Sequence, residues 1–159
     1  MPAPTMSGAA PIRVLGWREW LALPALGLPA IRAKIDTGAR SSCLHVEAIE
    51  TRNQAGREQV RFLLAPGEGR PPHWAEAPVL DRRIVTDSGG HRSERIFILT
   101  PLRLAGEEWP IEINLTHRRN MLFPMLLGRT AMAGRFLVDP ARSFVLGDPG
   151  ADQAHPALA

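Results

Sequence analysis

The chain has 159 residues, 45% of them hydrophobic and 22% charged, enough to bury a core in one domain without disulfides or metal to hold it together. Its formal net charge of +3 is modest, and the arginines are scattered over Arg13, Arg18, Arg32, Arg52, Arg82, Arg103 and Arg142, with Lys34 the sole lysine. No dense basic run or interleaved aromatic pattern calls for a nucleic-acid partner, and no apolar run approaches the ~18 residues of a membrane span.

The first residues, MPAPTMSGAA, carry neither a basic start nor an apolar stretch, so they are expected to form a tail and not a secretory signal. Cys43 is the only cysteine. That rules out an internal disulfide and fits a reducing, cytoplasmic setting.

Short apolar runs broken by Gly, Pro, Asn or Asp recur along the chain, and helical spacing is sparse, so a mostly β fold is expected. Ile12-Arg13-Val14-Leu15 reads as one strand and Trp17 to Leu23 as a second, ended by a turn over Pro24 to Pro29. Ile31, Ala33 and Ile35 then alternate with Arg32 and Lys34 and deliver the chain to Asp36 at a strand end. Val60 to Leu64 reads as a strand, and APGEGRPPHWAEAPVL as a surface loop. Arg82 to Thr86 and Arg95 to Leu99 flank Asp87-Ser88-Gly89-Gly90 as a hairpin with Gly at its tip. A second hairpin joins Leu102-Arg103-Leu104 to the stretch from Trp109 to Leu115. A short helix runs from Arg129 to about Ala133, stopped by Gly134. Phe136 to Val138 and Ser143 to Leu146 are expected to pair as closing strands, and the last residues to trail off as a second tail.

One string carries chemistry. Asp36-Thr37-Gly38-Ala39 places a carboxylate at a strand end, followed by a Gly that permits a tight turn and a Thr whose hydroxyl can anchor the loop. Two carboxylates held a few ångströms apart cannot both ionise, so they share a proton; one acts as base on a water and the other as acid toward a scissile carbonyl. A single loop supplies only one carboxylate. As a bare tripeptide the string also fits an Asx turn at a strand end.

Further along, Met125-Leu126-Leu127-Gly128-Arg129 is an apolar run closing in Gly-Arg before the short helix. The order of Asp-Thr-Gly-Ala, Gly-tipped hairpin, apolar-apolar-Gly-Arg, short helix and closing strand resembles the retropepsins, dimeric aspartic proteases of retroviral type. The set KIDTGARSS, RRIVTDSGG, EINLTHRRNM and MLLGRTAM is similar, more closely, to the bacterial retropepsin-like family often labelled "ATP-dependent zinc protease". Members of that family are found fused or adjacent to ATP-grasp ligases that add glutamate residues to proteins.

The resemblance covers about residues 12 to 147, leaving 1–11 and 148–159 as tails. It implies an all-β, closed retropepsin-like barrel with one short C-terminal helix, acting as a homodimeric aspartic endopeptidase in which two copies of Asp36 meet. By position it makes Asp36 the catalytic carboxylate and has Thr37 lock the two loops together. Gly38 and Ala39 complete the loop, which Gly128 and Arg129 buttress from behind. Asp87, Ser88, Gly89 and Gly90 become a flap over an extended peptide. Arg40 stands where viral relatives usually carry an acid, and with Lys34 it would favour acidic or glutamate-rich substrates; a structural ion pair at Arg40 is the plainer alternative. A glutamate-ligating ATP-grasp enzyme is the partner the family implies.

Three competing readings remain. The chain is a catalytically idle peptide-binding module of the same fold, serving a glutamate ligase; or Asp87-Ser88-Gly89 supplies the second carboxylate within one chain, for which the chain is short; or the protein is a zinc-dependent peptidase. For zinc there is no HExxH and no CxxC, and His45, His73, His91, His117 and His155 stand apart. Cys43, His45 and Glu47 at alternate positions are the only local candidate set, read more simply as a small buried residue with polar neighbours. No GxxxxGK[ST] loop is present, so no cofactor is expected and ATP use belongs to the ligase. Trp17, Trp20, Trp74 and Trp109 read as packing residues, and His117-Arg118-Arg119-Asn120 as a solvated turn.

Overall fold

Alternating burial lays the chain out almost wholly as strands in the computed structural model, which describes residues 11–67, 69–87, 89–117 and 122–147. In chain order these are β1 (Arg13–Leu15), β2 (Arg18–Leu23), β3 (Leu28–Asp36), β4 (Ser42–Val46), β5 (Ala48–Gln54), β6 (Arg57–Leu64), β7 (His73–Pro78), β8 (Asp81–Thr86), β9 (Arg92–Leu104), β10 (Glu107–His117), β11 (Met125–Gly128), the short helix α1 (Arg129–Met132), and β12 (Phe136–Val138). Of the expected tails, 1–11 and 148–159, all but Pro11 lie outside the described residues, as do Glu68, Ser88 and 118–121.

Six strands close a barrel in the order β10-β4-β11-β3-β2-β9, with β9 pairing back onto β10. The closed all-β barrel expected from the sequence is therefore the fold. Its interior is filled by the inward positions of each strand, among them Leu21, Ile31, Leu44, Ile98, Ile113 and Leu127, each at most 2% exposed. Burying one such side chain contributes roughly 1.5–3 kcal/mol. β8 continues the sheet beyond β9 without joining the ring, so β8 and β9 project together as an antiparallel hairpin.

Several expectations are corrected. The turn read over Pro24 to Pro29 is only a 3-10 turn at Pro24–Leu26, and β3 already begins at Leu28. The segment read as a surface loop contains β7, which pairs with β6 and, through it, with β5 in a separate three-stranded sheet. Ala75 and Ala77 sit opposite Phe62 and Val60 on the covered face; their small side chains hide the alternation. Ser143 to Leu146 does not pair with β12. β12 runs parallel to β1 instead. Residues 143–147 form an irregular strap, with Phe144 at φ 49° and its N–H donating to the Arg18 carbonyl.

Candidate functional site

β11 lies between β3, to which it runs parallel, and β4, to which it runs antiparallel. Since β3 and β4 are consecutive, the loop joining them must cross the end of β11. Asp36 is the last residue of β3, opposite Gly128 in register, and its side chain is half-buried. The Gly38 N–H donates to Asp36 Oδ1 at 2.9 Å and the Ala39 N–H to the Asp36 carbonyl at 3.2 Å, an Asx turn that fixes the carboxylate to its own loop.

The rest of the loop is held by residues 86 to 91 positions later. Arg129 donates its backbone N–H to the Ala39 carbonyl at 2.8 Å and Nη1 to the Gly38 carbonyl at 3.2 Å. Thr130 donates its N–H and Oγ1 to the Arg40 carbonyl at 3.2 and 2.8 Å. The Gly128 N–H donates to the buried Ser42 Oγ at 3.0 Å. Only glycine fits at 128, since a Cβ there would lie 2.5 Å from the Ser41 carbonyl carbon. Thr37 and Gly38 are left exposed at the loop's outer edge.

Behind the loop runs a buried polar chain. Asn114 Nδ2 donates to the Ser42 carbonyl at 2.9 Å, Arg95 Nη1 to Asn114 Oδ1 at 3.2 Å, and the same Nη1 to Cys43 Sγ at 3.8 Å. Burial pushes the Cys43 thiol up to about 11 against the opposing pull of Arg95, so it is a neutral packing group and no nucleophile near neutral pH. His45 Nδ1 lies 3.3 Å from the Pro124 carbonyl and its Nε2 4.0 Å from Cys43 Sγ, while Glu47 is exposed. Among the described residues no three His, Cys, Asp or Glu side chains gather as a metal-binding group.

Arg40 is exposed and has no ion pair among the described residues, so the structural pairing considered for it is not found there. With Ser41 and Thr130 it borders an open cleft of about 480 Å³ that extends to Trp109 and Arg135. Lys34 stands two residues before Asp36 on the same strand face, exposed. At the β8–β9 tip, Asp87 Oδ1 accepts the N–H groups of Gly89 and His91, both at 2.9 Å. Those bonds, chiefly that from His91, hold its carboxyl below the usual carboxylate range. Asp87 is thus engaged in its own turn, with Gly89 and Gly90 exposed beside it; Ser88 lies outside the described residues.

Sequence reasoning missed Ser42, Arg95 and Asn114. Only Asn114 carried a local signal, a polar residue between two apolar ones in Ile113-Asn114-Leu115, where all three are buried. It also missed Glu19, fully buried, whose carboxylate accepts the N–H groups of Gly16 at 2.7 Å, Val145 at 3.0 Å and Leu146 at 3.2 Å. That carboxylate is what ties down the 143–147 strap.

Comparison with known proteins places these features. Proteins named "Probable alpha-L-glutamate ligase" from Desulfotalea psychrophila and Shewanella pealeana are each 41% identical over 86% of this chain, and the chain spans 30% of their length. The crystal structure of a Legionella pneumophila protein of unknown function superposes with a TM-score of 0.70 at 29% identity, over 84% of this chain and 97% of that one. Among the described residues, no helix is long and apolar enough to cross a membrane. Residues 14–149 match the family model described as "RimB-like: Retropepsin-like aspartic endopeptidase RimB". The chain belongs to this RimB-like, retropepsin-like family.

Proposed function

We propose that the protein is an aspartic endopeptidase that acts as a homodimer, each copy contributing one Asp36. The observation that carries this reading is the Asp36 loop: one carboxylate at a strand end, tied to Gly38 N–H and locked from behind by Gly128, Arg129 and Thr130. Asp87, of the chain's Asp-Ser-Gly string, is engaged in a hairpin turn, so a second copy of the Asp36 loop is the natural source of the partner carboxylate. Such an isologous contact turns one motif per chain into a symmetric pair. Exposed Ile12, Val14 and Leu137 share one face of the β1–β12 pair, an apolar stripe of the kind that marks a contact surface.

In this mechanism the two carboxylates share one proton. The ionised one takes a proton from the water as its oxygen attacks the scissile carbonyl carbon, and the protonated one gives its proton to the carbonyl oxygen. The tetrahedral diol then collapses: the newly protonated carboxyl gives its proton to the departing amine as the C–N bond breaks, and the other carboxylate takes a proton from a diol hydroxyl as the carbonyl reforms, which restores the shared proton. The β8–β9 hairpin covers the peptide, which lies as an added strand. Exposed Lys34 and Arg40 favour acidic or glutamate-rich substrates, in keeping with relatives named as glutamate ligases. The unpaired Cys43 fits a reducing, cytoplasmic setting.

Replacing Asp36 by Asn should abolish hydrolysis of an acidic peptide while leaving fold and dimer intact; full activity in D36N would sink the proposal. A second reading, an inactive peptide-binding module that partners a glutamate ligase, draws on the relatives' names. Cleavage by purified protein that disappears with Asp36 alone would exclude it. Loss of activity with a chelator, and none with a pepstatin-type transition-state mimic, would point instead to a zinc-dependent peptidase.

A further inference from the structure

β9 parts from β10 at a fork. Their pairing ends at Phe97 opposite Asn114; on the tip side of that pair Arg92 to Ile96 are held by β8 alone, while β10 runs on beside β4 to His117. Phe97, Asn114 and Cys43 are register partners across β9, β10 and β4, so their side chains form one row on the outer face of the barrel. Along β10 that face is open, with Glu108, Pro110 and Glu112 exposed. The row at the fork is buried all the same: Phe97 and Asn114 are each 1% exposed and Cys43 7%.

Two arginines of the hairpin cover it. Arg83 Cζ lies 4.4 Å from the Phe97 ring centre, and Arg95 Nη1 reaches Asn114 Oδ1 at 3.2 Å and Cys43 Sγ at 3.8 Å. Arg83 and Arg95 are themselves opposite each other in the β8–β9 register, and like charges so placed repel. Arg83 is neutralised by Asp81 at 3.1 Å and by Glu112 at 2.7 Å. Arg95 has no acidic partner among the described residues; an amide oxygen and a neutral thiol hold it, so it is the half of the pair that can let go. On the hairpin's other face Arg82 pairs with Glu58 of β6 and with Glu94, exposed ion pairs of small worth.

We propose that Arg95 is a positioning residue that clasps the β8–β9 hairpin onto the barrel, and that breaking its bonds to Asn114 and Cys43 is the event that opens the hairpin. That the opened hairpin admits a peptide rests on the proposed function; the clasp itself rests on the fork. Repulsion from Arg83 favours release and the bonds to Asn114 and Cys43 oppose it, which is the balance a hinge between two arrangements needs. The clasp also ends on the residues that hold the Asp36 loop, since Asn114 Nδ2 donates to the Ser42 carbonyl and Ser42 Oγ accepts the Gly128 N–H.

Cys43 is the sole thiol and lies under the clasp, so its labelling by a small maleimide reports release. Arg95→Met keeps the bulk and loses the donors. It should speed labelling of the native protein about tenfold, the equivalent of one charge-assisted hydrogen bond, with little dependence on low urea, as local opening requires. Arg95→Lys keeps a charge and a donor and should fall between wild type and Met; it decides the matter if R95M fails to fold. Glu19→Gln, which loosens the distant strap, is the control, and its labelling should climb with urea as global unfolding does. Labelling of the Arg95 variants at the wild-type rate, or with the urea dependence of E19Q, overturns the clasp. In peptide hydrolysis R95M should raise KM and spare kcat, because saturating substrate draws the hairpin shut; a fall in kcat with KM unchanged counts against the clasp. If wild type cleaves no peptide while R95M and R95K label as expected, the protease reading fails and the clasp stands.

Discussion

Gly128 stands directly opposite Asp36 in the parallel register of β11 on β3, and its backbone lies so close to Ser41 that a Cβ would come within 2.5 Å of that residue's carbonyl carbon. The contact is backbone against backbone, so no flexible side chain can move aside. Gly128→Ala should therefore destabilise the fold by about 1–3 kcal/mol and lower hydrolysis more than the lost stability explains, because the displaced segment is the one that aims Asp36. Chemical denaturation and a peptide-cleavage assay on the same preparation check it. Wild-type behaviour in both would contradict the geometry.

Glu19 gives a second prediction. Glu19→Ala leaves three backbone N–H donors without their acceptor, and each buried unpaired donor costs about 1–3 kcal/mol. The melting temperature should fall sharply and residues 143–147 should become the first site of limited proteolysis. Glu19→Gln retains one acceptor oxygen and should lie between wild type and Ala.

The buried thiol predicts a pH dependence. The Cys43 pKa rises from 9.0 to about 11 on folding, so its contribution to stability is fully present below the unfolded value and is lost as pH rises through the folded one. Unfolding free energy should decline between pH 9.0 and about 11, with a shallower slope in Cys43→Ala. Thiol reagents near neutral pH should react with the native protein far more slowly than with the unfolded one. Equal rates would contradict the burial.

Asp87 titrates in the opposite sense. Its carboxyl is held below the ordinary 3.8 by the His91 and Gly89 amides, so the order it gives the hairpin tip is present above the ordinary value and is lost as pH falls through the lowered one. Asp87→Ala should speed amide exchange at Gly89 and His91 and raise KM without changing the melting temperature appreciably, since the tip is exposed. Unchanged exchange would show that the tip does not depend on this carboxylate.

Much of the barrel could be read in the sequence, because Ile31, Ala33 and Ile35 alternate against charged neighbours and Gly punctuates the hairpins. The three-stranded sheet was not, for two physical reasons. β5 is mostly polar and exposed, so it carries no burial pattern, and β7 faces inward with Ala75 and Ala77, too small to stand out. Asp36, Gly128 and Arg129 were legible as short strings joined by resemblance. Glu19 was not, since two of the three amides that define it lie 126 and 127 residues away, on a strap of irregular backbone. A residue whose meaning lies in the backbone of a distant segment leaves no local trace.

The insertion of β11 between β3 and β4 also sets an order of events in time. Asp36 leaves the ribosome long before Met125 to Thr130, yet its loop has nothing to close upon until those residues arrive. A nascent chain, or one cut short of β11, retains at most the local Asx turn at Asp36, with the Gly38, Ala39 and Arg40 carbonyls lacking the Arg129 and Thr130 donors that hold them. The last strand of the barrel to be made is thus the one that fixes the Asp36 loop, so that loop takes its final shape only once the barrel is complete.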